Sequence, residues 1–218
     1  MNNLVTYHLH QTPLLPPSDA HFYQYVIAQN GVFVRAENAF VSACLPVTRL
    51  KEATAPIRGL QPLDGWVRLK IPQIPLNLLE TVIADAQVSA ENGRLDETLS
   101  YVVWRNGRVG ELASSRYHLI KPADQKASPN FVVTEMVETS ETVVMDIHSH
   151  GGAPPYFSPT DDRDETRLRF YGVIGNLRGT PQWRFRLGIY GHWTEIDKDT
   201  LFACEIAFPG GDYDHEPI

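Results

Sequence analysis

The sequence predicts an α/β protein in the broad sense: a mixed β-sheet flanked by helices, preceded by a small β-rich N-terminal region. Three observations carry that reading. β-prone runs separated by Asn-Gly turn signals recur along the chain, one long stretch has helical periodicity, and prolines crowd the first 63 residues, where no long helix fits.

Residues 1–63 form the first unit. "FYQYVIAQNGVFVRAENAFVSACLPV" holds two β-prone runs with Asn30-Gly31 between them as a hairpin turn, and prolines stand at 13, 16, 17, 46, 56 and 62. A second unit, 64–218, opens with "PLDGWVRLKIPQIP", in which Trp66 to Ile71 reads as a strand that the prolines end. "LNLLETVIADAQVSAENG" is the clearest helix. Asn77 is its expected cap, Leu79, Val82, Ile83, Ala86 and Ala90 fall at helical intervals, and Gly93 is the stop. "ETLSYVVWRNGRVGELAS" reads as a hairpin with a strand through Trp104, a turn at Asn106-Gly107 and a returning strand. The apolar run Val143 to Ile147 ends at a pair of histidines, and "SPTDDRDETRLRFYG" then reads as a helix. "YGVIGNLRG" and "WRFRLGIYGHWTEI" add two further strands with glycine-containing turns, packed through Trp183 and Trp193.

Composition narrows the class. Of 218 residues, 43 % are hydrophobic and 21 % charged, as in globular proteins with a sizeable core. The net charge is −7, and no basic run could track a phosphate backbone, so nucleic acid is not an expected partner. Cys44 and Cys204 lack paired spacing and suit a reducing compartment. With neither a secretory leader pattern nor an apolar run of membrane-spanning length, the expectation is a cytoplasmic protein that does not contact membranes.

The chemistry concentrates in "DIHSHGGAPPYFSPTDD", residues 146–162. His148 and His150 follow a strand, and positions two apart on a strand face the same way, so both imidazoles can reach one point. A catalytic Zn²⁺ takes three N or O protein ligands and leaves a position for water. Asp161, eleven residues after His150, can return a carboxylate as the third ligand. "SPTD" also fits a plain helix start, with Ser158 as N-cap, Pro159 at N1 and Asp161 at N3 of a capping box. Asp162 is an alternative carboxylate, Asp146 and Asp164 read as ordinary polar positions, and His192 as a strand or turn histidine.

The full order, H-x-H, seven residues, S, two residues, D, resembles the motif of JAMM (MPN+, JAB) zinc metalloproteases. The resemblance runs from about Trp66 to the end of the tail and implies a JAMM/MPN core, cytidine-deaminase-like in fold. It implies one Zn²⁺ held by His148, His150 and Asp161, with Ser158 as hydrogen-bond donor to the oxyanion. It also implies a glutamate ahead of the H-x-H strand as general base. "LDETLSYVV" resembles the family's segment for that residue and nominates Glu97, although Leu99, Ser100 and Tyr101 replace its usual glycine and small residues. Glu91 and Glu111 are rivals for the same role. A second departure is Gly151-Gly152, where many family members have proline directly after the second histidine.

The implied activity is hydrolysis of an isopeptide or peptide bond after the C-terminal tail of a ubiquitin-like protein, in maturation or deconjugation. The layout resembles the bacterial PRTRC system protein A branch, whose members are encoded with ubiquitin-like and ThiF-like activating proteins. Two alternatives remain: a non-catalytic MPN-type scaffold, and a small-molecule zinc amidase on the same fold.

Overall fold

The computed structural model describes residues 3–50, 55–91, 97–105, 116–122, 126–128, 131–133 and 143–203. β1 (Asn3–Leu9), β2 (Ala20–Ala28), β3 (Gly31–Glu37), β4 (Val41–Arg49) and β5 (Trp66–Leu69) form a five-stranded sheet in sequence order. β1 runs parallel to β2, and the other pairs are antiparallel. The β2–β3 hairpin forms as the sequence predicts, but one residue earlier than Asn30-Gly31: Ala28 pairs with Gly31, which leaves Gln29-Asn30 as the two turn residues. Asn30 also ties down a distant segment, since its side chain donates to Leu63 O and accepts from Leu63 N.

β6 (Ile74–Pro75) leads into α1 (Leu76–Glu91), and β7 (Leu99–Trp104), β8 (Tyr117–Ile120), β9 (Lys126–Ser128) and β10 (Phe131–Val133) follow. Then come β11 (Val143–Ser149), α2 (Pro159–Asp164), β12 (Arg169–Gly175), β13 (Gln182–Ile189), β14 (His192–Ile196), α3 (Lys198–Leu201) and β15 (Phe202–Ala203). The main sheet has six strands in the order β14-β13-β12-β11-β7-β8. Only β11 and β12 pair parallel within it, so the sheet is mixed. Shorter two-stranded sheets pair β9 with β10 and β6 with β15. The protein is thus α+β, with several sheets and three helices among the described residues.

The central pair explains the site's location. A strand buried on both faces is apolar without alternation, and all seven residues of β12 are buried. Parallel neighbours cannot be joined by a tight hairpin, so the chain must cross over between them. The crossover here is residues 150–168, and it carries α2 across the C-terminal end of β11. One apolar cluster packs Leu79, Val82, Ala86 and Ala90 of α1 with Val102, Met145, Ile147, Ile174 and Leu187 of the six-stranded sheet. It continues into Val34, Ala43 and Leu45 of the first sheet. A smaller cluster of Val26, Ala28, Phe33, the free thiol Cys44 and Leu63 also forms on that sheet.

Several expectations shift. Trp66–Leu69, expected to open the second unit, pairs with Val41–Cys44 as β5 of the first sheet, because β4 offers it an open edge. Asn77 lies inside α1 rather than capping it, and its carbonyl accepts from Thr81 Oγ1. The helix expected over 158–172 stops at Asp164, and the burial of "RFYG" in β12 overrides its helical pattern. The two stretches read as single strands, 171–179 and 183–196, contain parts of three strands, β12, β13 and β14. β13 and β14 turn at Tyr190-Gly191, whose φ values of 48° and 92° have the double-positive form that matches strand twist. The expected stop at Gly93, the turn at Asn106-Gly107 and Cys204 lie outside the described residues. Among the described residues no helix is long and apolar enough to cross a membrane.

Candidate metal centre

β11 delivers the first ligand. His148 is the penultimate residue of the strand, and His150 follows its end, where its N–H donates to Ile174 O of β12 at 2.7 Å. The two residues therefore keep strand spacing, and their Nε2 atoms stand 3.1 Å apart. Asp161 Oδ1 lies 3.5 Å from His148 Nε2, and one ligand atom from each of the three residues falls within 4.8 Å of the others. Tetrahedral coordination at zinc bond lengths of roughly 2.0–2.1 Å puts neighbouring ligand atoms about 3.3–3.4 Å apart. The donor set therefore fits a divalent ion in both chemistry and spacing. Burial is the main cause lowering the pKa of His148, with the Asp161 carboxylate acting in the opposite direction. Burial likewise lowers that of His150. Both rings are thus biased towards the neutral, lone-pair-bearing form that coordinates metal.

The loop between ligands is held by backbone bonds. Gly151 turns it at a φ of 54°, and Gly151 O and Ala153 O accept from Leu177 N and Asn176 N beyond β12. Contact with β12 is so close that a Cβ on Gly175 would stand 2.3 Å from Ala153 O. Tyr156 packs edge-on against His150 with ring centroids 4.6 Å apart.

The capping-box and ligand readings of Ser158 and Asp161 turn out to be compatible. Ser158 Oγ accepts from Asp161 N at 3.2 Å, and Asp161 Oδ2 accepts from Ser158 N at 2.5 Å. Asp161 Oδ1 is left to face His148, so the cap itself aims the carboxylate.

Glu97 is brought to the site by register. β7 and β11 are antiparallel with His148 opposite Leu99, and extending that pairing by two residues sets Glu97 opposite His150 on the same face. Ser149 locks this register with its side chain: Thr98 N and Thr98 Oγ1 donate to Ser149 Oγ at 3.0 and 3.1 Å, while Ser149 N donates to Thr98 O. Glu97 is 8 % exposed. Burial first, then the Asp161 carboxylate, pushes its pKa from 4.5 up to about 7. Of its rivals, Glu91 ends α1 with its side chain outside the described residues, and Glu111 lies wholly outside them.

Residues 80–187 match the family model described as prokaryotic homologs of the JAB domain. The chain belongs to that JAB family. The matched span includes the H-x-H, Ser158, Asp161 and Glu97 positions, and membership is compatible with either a metal-dependent hydrolase or an MPN-type module. No curated protein matches the chain.

Other nominated residues take different roles around the JAB site. Asp162 does not join the three ligands but pairs with Arg186 Nη1 at 2.7 Å. Asp146 is more than an ordinary polar position, because Arg169 Nη1 bonds both its oxygens at 2.8 and 2.9 Å. His192 starts β14 and meets the Tyr25 hydroxyl at 3.0 Å, joining the two large sheets. Trp193 packs against Arg186, whereas Trp183 is partly exposed beneath Lys198. Sequence reasoning passed over Ser149, Glu165 and Arg186. Ser149 was legible in part as the middle residue of H-x-H, since strand alternation turns it to the face away from the metal.

Proposed function

We propose that this chain is a zinc-dependent hydrolase of an amide bond, acting after the C-terminal tail of a ubiquitin-like protein. The observation that carries the reading is a nearly buried carboxyl, Glu97, with a pKa near neutrality beside a complete His148, His150 and Asp161 donor set. A scaffold has no use for that combination. Buried ionisable groups cost stability and are retained where chemistry uses them.

A zinc ion held by the three ligands would supply a Lewis acid for the carbonyl and an acidified water. Glu97, poised to titrate near neutral pH, takes the proton of the attacking water and returns it to the leaving amine. Ser158 Oγ is engaged as acceptor by Asp161 N, so its own proton remains to be donated to the carbonyl oxygen as charge builds there. The ubiquitin-like substrate rests on the resemblance of the motif. A ThiF-like activating enzyme and the PRTRC system protein A branch belong to the same proposal.

The test is elemental analysis of the purified protein beside His148→Ala and Asp161→Ala, then cleavage of amides fused to ubiquitin-like C-termini. About one zinc per chain is expected, lost in both variants. Glu97→Gln should keep the metal and lose cleavage. Protein that stays metal-free after zinc is supplied would overturn the hydrolase reading.

A further inference from the structure

α2 carries a proposed ligand, Asp161, and a proposed oxyanion donor, Ser158, yet none of its six residues is buried. A single short turn of helix is not stable in water without tertiary anchoring, and this one has no apolar face to supply it. Its capping box is internal to the turn and cannot fix the turn relative to His148 and His150. Something outside must.

The surrounding contacts converge on Arg186 of β13. Its Nη1 donates to Asp162 within α2 at 2.7 Å, and its Nε donates to Glu165, the C-cap residue of α2, at 2.6 Å. Its guanidinium lies 3.9 Å from the Phe157 ring centroid, immediately before the N-cap, and 4.9 Å from that of Trp193. Arg186 therefore grips the chain before, within and at the end of α2. The Arg186–Glu165 half of the grip is desolvated, with side-chain exposures of 8 % and 7 %. A planar fork between a ring and two carboxylates fixes direction as well as distance, which a lysine cannot do.

We infer that Arg186, through Asp162 and Glu165, is the positioning residue that holds Asp161 in coordinating geometry against the two histidines. This rests on the metal-centre reading above. Partners of this kind outside the ligand set commonly change metal affinity by about 10- to 100-fold.

The test is competitive Zn²⁺ titration of the full chain with a chromophoric chelator. Arg186→Met should weaken binding by about 10- to 100-fold, and Arg186→Lys should recover part of that loss. Combined with Asp162→Asn, Arg186→Met should weaken binding no more than it does alone, because both changes release the same grip. Asp162→Asn removes one prong at a side chain that is 44 % exposed, and should weaken binding by about five- to tenfold. That variant carries the test if Arg186→Met fails to fold. Wild-type affinity in Asp162→Asn and Arg186→Met, or losses from the two changes that simply add when combined, would overturn the assignment. Wild-type protein that binds no zinc would instead fell the metal-centre reading, and this assignment with it.

Discussion

Ser158→Gly separates the two jobs proposed for one hydroxyl. The Ser158 side chain accepts from Asp161 N at 3.2 Å, which is capping, and its proton is free for the oxyanion, which is catalysis. Alanine would remove both functions together. Glycine is itself an acceptable N-cap, about a few tenths of a kcal/mol worse than serine, against about 1 kcal/mol for alanine. The other half of the capping box, Ser158 N to Asp161 Oδ2, uses backbone and survives either change. Asp161 should therefore stay aimed at His148, and zinc affinity should fall by less than about threefold. Loss of an oxyanion donor costs about 2.7–4 kcal/mol of transition-state stabilisation, or roughly 10²–10³ in kcat. The assay is kcat on a C-terminal amide of a ubiquitin-like protein, with metal occupancy measured on the same samples. If zinc-loaded Ser158→Gly turns over within about threefold of wild type, Ser158 is a helix cap and nothing more.

Three further outcomes follow from the geometry. Glu97 ionises near pH 4.5 when unfolded and at about 7 when folded, so the folded state holds its proton longer, and stability falls as pH rises through that window. In metal-free protein Glu97→Gln should thus raise stability by about 3 kcal/mol at pH 8 and leave it nearly unchanged at pH 4, by urea unfolding at each pH; an equal gain at both would contradict the burial argument. Gly175→Ala would put a methyl 2.3 Å from Ala153 O and 2.6 Å from Pro155 N, so the loop after His150 must move. A loss of about 1–3 kcal/mol is expected in the same measurement, with weaker zinc binding, and an unchanged urea midpoint would show the loop is not held there. Tyr25→Phe removes the hydroxyl that meets His192 between the two large sheets. It should cost about 1 kcal/mol while zinc affinity stays constant, and a change in zinc affinity would mean the sheets are coupled to the site.

Much of the site was readable because it is local. H-x-H on a strand fixes two imidazoles on one face within two residues, and S-x-x-D fixes a capping box within a single turn. The α1 face was readable for the same reason, with Leu79, Val82, Ala86 and Ala90 buried as their spacing requires. Local pattern misled where burial elsewhere decided the outcome. "RFYG" carries helical spacing but lies in the middle of a sheet, where both faces are covered.

By itself, then, the sequence determined which groups could meet across a few bonds: the two histidines, the capped carboxylate and, to within one residue, the β2–β3 turn. Tertiary structure alone decided what arrives from far along the chain. The β7–β11 register turned Glu97 towards His150, β13 brought Arg186 under α2, and β4 took Trp66–Leu69 as its neighbour. Short spacings constrain geometry through covalent bonds and backbone dihedrals. Partners about 20 to 55 residues apart are selected by which strand edges pair and which faces can be buried together, and that choice belongs to the whole chain at once.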